Sequence, residues 1–169
     1  DFCQRSAGVA NAGADELKIW VDADALPGEI KDIILRAASR VQLPTIFVAN
    51  KNVDVGIGRW VSFVRVSKGA DVADFYIVEQ SAAKDLCVTA DIPLAAALVA
   101  KGLTVIDPRG DLYSEATVAE RLSIRDFMAG LRDAGVQTGG PPPFSAKAKQ
   151  QFAARFDSLL QKALRESRV

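Results

Sequence analysis

The chain has 169 residues, of which 49% are hydrophobic, and its 21 Lys and Arg residues balance its 21 Asp and Glu residues. This length suits one domain with a sizeable core, and no apolar run reaches the ~20 residues of a membrane span. The chain contains no histidine, which excludes imidazole bases and His-liganded metal sites. Any chemistry must therefore come from carboxylates, hydroxyls, lysines and arginines.

The two cysteines, Cys3 and Cys87, lie far apart in the sequence and lack the spacing of metal ligands. We therefore expect neither a zinc site nor a disulfide framework. Residues 1–16 have neither the apolar centre nor the basic start of a secretory signal. We expect these residues to form a tail, and we expect a soluble cytoplasmic protein without a membrane partner.

Short apolar runs alternate with amphipathic helical patterns along the rest of the chain. The predicted strands span residues 17–22, 44–50, 60–67, 85–91 and 103–108. The predicted helices span residues 27–41, 69–82, 92–102, 114–135 and 145–167. This alternation predicts an α/β fold over residues 17–136, with a mostly parallel sheet covered by helices on both faces.

A Gly/Pro-rich linker opens the last segment, residues 137–169, and a long amphipathic helix follows it. The helix has apolar residues at helical spacing, so one of its faces must be covered. We expect this C-terminal arm to pack on its own domain. A second copy of the chain is the alternative partner, which leaves a homodimer open.

Acidic residues follow the predicted strands at the positions where open α/β sheets bind ligands. Asp22 directly follows the first apolar run, and Asp91 ends the strand at 85–91. Asp24 would point to the same side as Asp22 if the chain stays extended. Asp71 and Asp74 are three residues apart, which places them on one face of the predicted helix.

Carboxylates that converge on one edge repel each other unless a cation lies between them or some remain protonated. An all-oxygen set suits a hard ion such as Mg²⁺ or Mn²⁺. Such ions activate water and bind phosphoryl oxygens. The cluster of aspartates at the strand ends therefore predicts metal-assisted hydrolysis of phosphodiester bonds.

Each aspartate could also have a purely structural role, and that role explains some of the aspartates better than others. Asp91 precedes Ile-Pro, so it suits a helix N-cap as well as it suits a ligand. Asp71 suits the first turn of a helix, where the dipole favours acids, and Asp24 could cap the turn that leads to Pro27. Capping explains Asp22 poorly, because no helix begins at the next residue.

Three further polar residues are candidates for contact with a phosphate. Thr89 precedes Asp91 by two residues and could bind a phosphate or satisfy the backbone. Lys68 and Arg109 could neutralise a phosphate or lie in solvent. Basic residues also outnumber acidic ones between positions 31 and 68. That distribution suits a polyanionic substrate, but by itself it favours an ordinary solvated surface.

Four segments together resemble the YaiI/YqxD family of bacterial proteins. They are "IWVDADALP", "RAASRVQLPTIFVAN", "GADVADFYIVEQSAAKDLCVTADIPLAAALVAKG" and "GGPPPFS", and the resemblance runs from about Lys18 to the last helix. That family is similar to PIN-like domains, which have a three-layer α/β/α fold and cleave RNA with Mg²⁺ or Mn²⁺. The resemblance implies the same fold, and RNA or another single-stranded nucleic acid as substrate.

The resemblance also implies roles for individual residues. Asp22, Asp74 and Asp91 would be the metal ligands and catalytic residues, with Asp71 as a neighbour. Asp24 belongs to the family's "DAD" signature. The chain departs from the family at Leu26, where a cysteine is usual, so we expect that a thiol is not essential to a metal-dependent activity.

Two other functions fit parts of the sequence. "IWVDAD" resembles the Asp-x-Asp motif of haloacid-dehalogenase phosphatases, with Asp22 as nucleophile and Asp24 as acid/base. No later residues clearly complete that motif. The other alternative is a non-catalytic module on a PIN-like scaffold that binds nucleic acid or protein.

Overall fold

A computed structural model describes residues 17–24, 26–56, 58–69, 71–137 and 144–167. Its strands are β1 (Ile19–Asp22), β2 (Thr45–Ala49), β3 (Val61–Arg65), β4 (Leu86–Val88), β5 (Thr104–Ile106) and β6 (Leu112–Tyr113). Its helices are α1 (Gly28–Val41), α2 (Val72–Gln80), α3 (Ile92–Lys101), α4 (Glu115–Asp133) and α5 (Ala146–Ser167). The expected tail, residues 1–16, and residues 138–143 of the expected linker lie outside the described residues.

The six strands form one sheet in the order β3-β2-β1-β4-β5-β6. Strands β1 to β5 are parallel, and β6 pairs antiparallel with β5. The α/β prediction is therefore confirmed, and each predicted strand and helix is present. The strand β6 was not predicted, because two residues are too short to show a periodicity.

Side chains alternate across the sheet and build a separate core on each face. In β1, Ile19 and Val21 pack with α1 and α5, whereas Trp20 packs with α2, α3 and α4. Both faces are therefore covered by helices, which gives three layers in the order α/β/α. The free thiol of Cys87 is fully buried in the second core. Within the described ranges, no helix has the length and apolar character needed to cross a membrane.

The C-terminal helix α5 belongs to the first of these cores. Phe152, Phe156 and Leu160 recur every fourth residue and are at most 1% exposed. Arg40, in the last turn of α1, forms a 2.6 Å ion pair with Asp157. The apolar face of α5 is thus covered by the chain's own domain.

Asp85 holds β1 and β4 together at the amino-terminal edge of the sheet. Its carboxylate accepts hydrogen bonds from Lys18 N (3.2 Å), Trp20 Nε1 (3.0 Å) and Ala82 N (2.9 Å). The residue is only 4% exposed. Three hydrogen bonds satisfy this buried carboxylate, and they tie β1 to the turn before β4 and to β4 itself.

Candidate functional site

The strand order reverses between β1 and β4, and a cleft of about 400 Å³ lies at their carboxyl ends. This is the position at which open α/β sheets bind ligands, because the chains leaving the two strands diverge there. The cleft is lined by Asp22, Asp24, Leu26, Asn50, Gly69, Asp71, Ala73, Asp74, Ala90, Asp91 and Pro108. All five aspartates selected from the sequence therefore border one cavity.

Asp22 is the last residue of β1 and lies on the same face of the sheet as Trp20, toward α2 and α3. Its Oδ2 atom accepts a 2.9 Å hydrogen bond from Thr89 Oγ1. Burial raises the pKa of the Asp22 carboxyl, the Thr89 hydrogen bond partly offsets that rise, and the nearby charges of Asp24 and Asp91 add to it. Asp22 is thus a carboxylate whose charge is poorly compensated.

Asp91 serves as a helix cap and also borders the cleft. Its Oδ1 atom accepts the N–H of Leu94 at 3.0 Å, at the start of α3. Its own backbone N–H donates to Thr89 Oγ1 at 3.0 Å. The two interpretations left open by the sequence are therefore compatible, since one oxygen caps the helix and the carboxyl remains at the cavity.

Asp74 lies in the first turn of α2 and approaches the other two acids across the cleft. Burial raises its pKa to about 7, helped by the charges of Asp91 and Asp22, a hydrogen bond to Asp91 and the charge of Asp71. A carboxyl with this pKa is about half protonated at neutral pH. The raised pKa of Asp74 is the physical sign that negative charge is crowded here.

The two remaining aspartates lie at the cleft margin. Asp71 precedes α2 as its N-cap residue, in a left-handed conformation with φ 66°, and its side chain makes no capping hydrogen bond. Asp71 therefore lies one residue before the first turn of α2, whereas the sequence had suggested a position within that turn. Asp24 Oδ1 accepts the backbone N–H of Asn50 at 3.0 Å, which links the end of β1 to the end of β2.

The two basic candidates do not line the cavity. Lys68 is exposed in the loop before α2, one residue from Gly69, which does line it. Arg109 follows the lining residue Pro108, and its guanidinium lies 6.0 Å from the centre of the Phe144 ring. The structure thus brings the aspartates and Thr89 together and leaves Lys68 and Arg109 outside.

Sequence reasoning missed Asn50 as a lining residue. It directly follows the buried strand β2, and a polar residue at that position was a usable signal. Leu26, where the resemblance implied a cysteine, also lines the cleft.

The lining residues suit a hard cation in their chemistry and charge. Five are aspartates, and no described lining residue is Lys or Arg. Among the residues described, no three His, Cys, Asp or Glu side chains stand close enough together to form a complete metal-binding group. Mg²⁺ commonly binds through one or two carboxylates and keeps several waters, so the donor set fits such an ion without a closed cage.

Comparison with known proteins identifies the family. Residues 20–162 match the family described as "Uncharacterized BCR, YaiI/YqxD family". The chain belongs to the YaiI/YqxD family. The matched range contains every residue that lines the cleft, so the site lies within the part of the chain that defines the family.

Several curated relatives are similar over nearly their whole length. A UPF0178 protein of Myxococcus xanthus is 53% identical over 149 residues, covering 88% of this chain and 97% of the relative. A UPF0178 protein of Klebsiella pneumoniae is 54% identical over 144 residues, covering 85% and 95%. One of Geobacter sulfurreducens is 51% identical over 150 residues, covering 88% and 99%. No solved structure gives a significant match.

Proposed function

We propose that this YaiI/YqxD protein is a Mg²⁺- or Mn²⁺-dependent nuclease with a PIN-like scaffold that hydrolyses phosphodiester bonds in single-stranded nucleic acid, RNA above all. One observation carries the proposal. Asp22, Asp74 and Asp91 come from three separate elements and border one cleft at the switch point of the sheet. The chain has no histidine, so this set of three aspartates is the group of side chains best suited to phosphodiester hydrolysis.

The electrostatics of the cleft support a cation as the missing partner of these acids. Burial and mutual repulsion raise the pKa values of both Asp22 and Asp74. A structural acid cluster would be expected to carry compensating basic side chains, as Asp107 does in its 3.0 Å ion pair with Arg121. The described lining of the cleft contains no such cation, so its negative charge is available to a metal.

The three aspartates would divide the work. Asp22 and Asp91 would hold the ion, which when bound would neutralise the carboxylates and activate water for attack at phosphorus. Asp74, which also borders the cleft, would complete the site or orient the attacking water. Thr89 would orient Asp22 through its hydrogen bond.

Incubation of a labelled single-stranded RNA with the protein and Mn²⁺ tests the proposal. We expect cleavage that EDTA abolishes and that Asp22→Asn reduces by more than ~100-fold, the upper end of the loss expected for a residue that merely supports a metal ligand. Asp133→Asn is the matched control, because Asp133 is an exposed aspartate at the end of α4. Cleavage that survives in Asp22→Asn would overturn the proposal.

A thermal shift measurement gives a readout independent of activity. We expect Mn²⁺ to raise the Tm of the unaltered protein, because a ligand that binds only the folded state stabilises it. The shift should vanish in Asp22→Asn and persist in Asp133→Asn. An equal shift in both variants would mean that the cleft is not the metal site.

The same experiments separate the two alternatives. A haloacid-dehalogenase phosphatase would form a phosphoaspartate at Asp22 and would release phosphate from a monoester substrate. A non-catalytic module would bind nucleic acid equally well in EDTA and in Asp22→Asn, without cleaving it. Either pattern, found without metal-dependent cleavage, would replace the nuclease assignment.

A further inference from the structure

The carboxyl edge of the sheet is charged unevenly on the two sides of the switch point. Acidic residues occupy the ends of β1 and β4, as described above. Lys51 lies in the loop after β2, Arg65 is the last residue of β3, and Lys68 lies in the loop after β3. All three are exposed at the same edge. We call these three residues the basic edge.

The basic edge borders the cleft through two direct chain connections. Lys51 follows Asn50, and Lys68 precedes Gly69, and both of these neighbours line the cleft. The loops after β2 and β3 therefore each carry a lysine one residue outside the cavity. The basic edge is therefore adjacent to the acidic lining of the cleft along the chain.

Arg65 closes the gap between the two lysines. It pairs with Ala49 in the register of β2 and β3, and its Nη1 atom donates to Asn52 Oδ1 at 3.2 Å. That contact places the guanidinium beside the loop that carries Lys51. A guanidinium has five N–H donors, so this bond leaves most of them able to bind a phosphate.

Few acids oppose the basic edge. Between residues 49 and 69 the only acidic residue in the sequence is Asp54. Its Oδ1 atom accepts the N–H of Gly56 at 2.9 Å, and its backbone carbonyl accepts Lys31 Nζ at 2.7 Å. Asp54 is therefore engaged within its own loop, and the edge retains a net positive charge.

An exposed aromatic ring lies on the α2 side of the cleft. Phe75 is 71% exposed, follows Asp74 directly and donates its backbone N–H to Asp71 O at 2.9 Å. Unpaired bases stack well on exposed aromatic rings. Bases inside a duplex are already stacked and cannot do so.

We infer that the basic edge and Phe75 form a binding track for single-stranded nucleic acid, along which Lys51, Arg65 and Lys68 contact successive phosphates and Phe75 stacks on a base next to the cleft. The inference deepens the proposed function by giving the substrate a path into the aspartate cleft. It assigns a role to three of the seven basic residues between positions 31 and 68, namely Lys51, Arg65 and Lys68.

Binding of a fluorescein-labelled single-stranded RNA in EDTA, followed by anisotropy, tests the track separately from cleavage. The parent protein, into which the further substitutions are introduced, is the Asp22→Asn variant, because we expect it to leave the RNA uncleaved. We expect Lys51→Glu/Arg65→Glu/Lys68→Glu to weaken binding at least ~10-fold and to lower the slope of log affinity against log salt by about 2, since each phosphate contact on a single strand contributes ~0.7. The milder Gln variants replace the Glu variants if those fail to fold.

The matched control reverses three basic residues at the opposite edge of the sheet. Arg59 lies just before β3, at the amino-terminal edge of the sheet. Lys162 and Arg165 lie on α5, beyond Asp157, which forms an ion pair with Arg40 in the last turn of α1. We expect Arg59→Glu/Lys162→Glu/Arg165→Glu to bind RNA within about twofold of the parent. Equal losses in the two triple variants would mean that only net charge matters, which would overturn the track.

Phe75→Ala tests whether the track prefers single-stranded RNA to duplex RNA. We expect it to weaken single-stranded RNA binding by ~5-fold or more, as loss of one stacked base contact implies, and to leave the weaker binding of a duplex unchanged. Equal affinity of the parent for duplex and single strand, with no effect of Phe75→Ala, would overturn the inference. Absence of RNA binding by the parent would overturn the track, whereas the cleavage assay on the unaltered protein decides the nuclease proposal by itself.

Discussion

Thr89 Oγ1 donates a 2.9 Å hydrogen bond to Asp22 Oδ2, from a residue 67 positions further along the chain. The same hydroxyl oxygen accepts the backbone N–H of Asp91 at 3.0 Å. One fully buried side chain therefore joins the end of β1 to the start of α3. It orients two of the three aspartates in the cleft at once.

Replacement of Thr89 by Val keeps the shape of the side chain and removes the hydroxyl. We expect the free energy of unfolding to fall by about 1–3 kcal/mol, because the Asp91 N–H loses its acceptor in a buried position. The pKa of Asp22 should rise further, since the Thr89 hydrogen bond now lowers it. Urea unfolding measures the loss, and Thr89→Ser should retain most of the stability. Equal stability of the Val and Ser variants would contradict the bridging role.

Asp74 should make the metal-free protein less stable as the pH rises. Its pKa in the folded protein is about 7, above the ordinary value of 3.8, so protonation favours folding. This contribution is fully present below about pH 4 and is lost as the pH rises through about 7. Asp74→Asn should remove the dependence and stabilise the metal-free protein above about pH 7 by ~1 kcal/mol, after allowance for solvent screening of a half-buried group.

Thermal unfolding in EDTA across this pH range measures the effect. A gain of ~1 kcal/mol corresponds to roughly 2–4 °C in Tm for a protein of this size. Asp133→Asn should leave the pH profile unchanged, because Asp133 is exposed. A loss of stability in Asp74→Asn above neutral pH would show that the carboxylate is already compensated.

Asp85 and Asp22 stand at opposite ends of the β1–β4 pair, and replacement by Asn should destabilise the protein far more at Asp85 than at Asp22. Asp85 accepts three hydrogen bonds, so Asp85→Asn should cost about 3 kcal/mol, since an amide offers one acceptor oxygen and leaves buried donors unpaired. Asp22→Asn should change the metal-free stability by less than ~1 kcal/mol, because it removes a poorly compensated charge. Chemical unfolding in EDTA compares the two, and a larger loss in Asp22→Asn would refute this assignment.

Gly110 should be essential to the docking of α5. It has φ +94°, and a Cβ atom there would lie 2.8 Å from Gln151 C and 2.9 Å from Phe152 N. Gly110→Ala should therefore cost more than ~2 kcal/mol, because backbone strain and a clash with α5 add together. Gly135→Ala isolates the strain, since Gly135 has φ +85° with nothing within 4 Å of the added atom. Similar unfolding midpoints for the two variants would mean that α5 yields at this contact.

Local patterns in the sequence were sufficient for most of the fold. Apolar runs such as that before Asp22 report strands, and the spacing of Ile30 and Ile34 reports α1, because burial on one side imposes a period on neighbouring residues. The positions of Asp22 and Asp91 at strand ends could be predicted for the same reason. The family assignment was confirmed because its motifs are long and follow one another in order.

Contacts between distant segments were out of reach of these patterns. The role of Asp85 depends on Trp20, 65 positions away, and Asn50 joins the site only because β2 lies beside β1. Lys68 and Arg109 were selected with the acids, and the loops place them outside the cavity. No local periodicity encodes such pairings, because they arise when separate elements pack together.

The sequence by itself determined the α/β class, the strand ends that carry aspartates and the absence of any imidazole chemistry, since each follows from composition or from neighbours along the chain. Only the tertiary structure decided which acids meet. The order β2-β1-β4 puts Asp22 beside Thr89, and the packing of α2 against α3 puts Asp74 beside Asp91. Burial and repulsion between those carboxyls set their pKa values, and both are properties of distance in the folded chain.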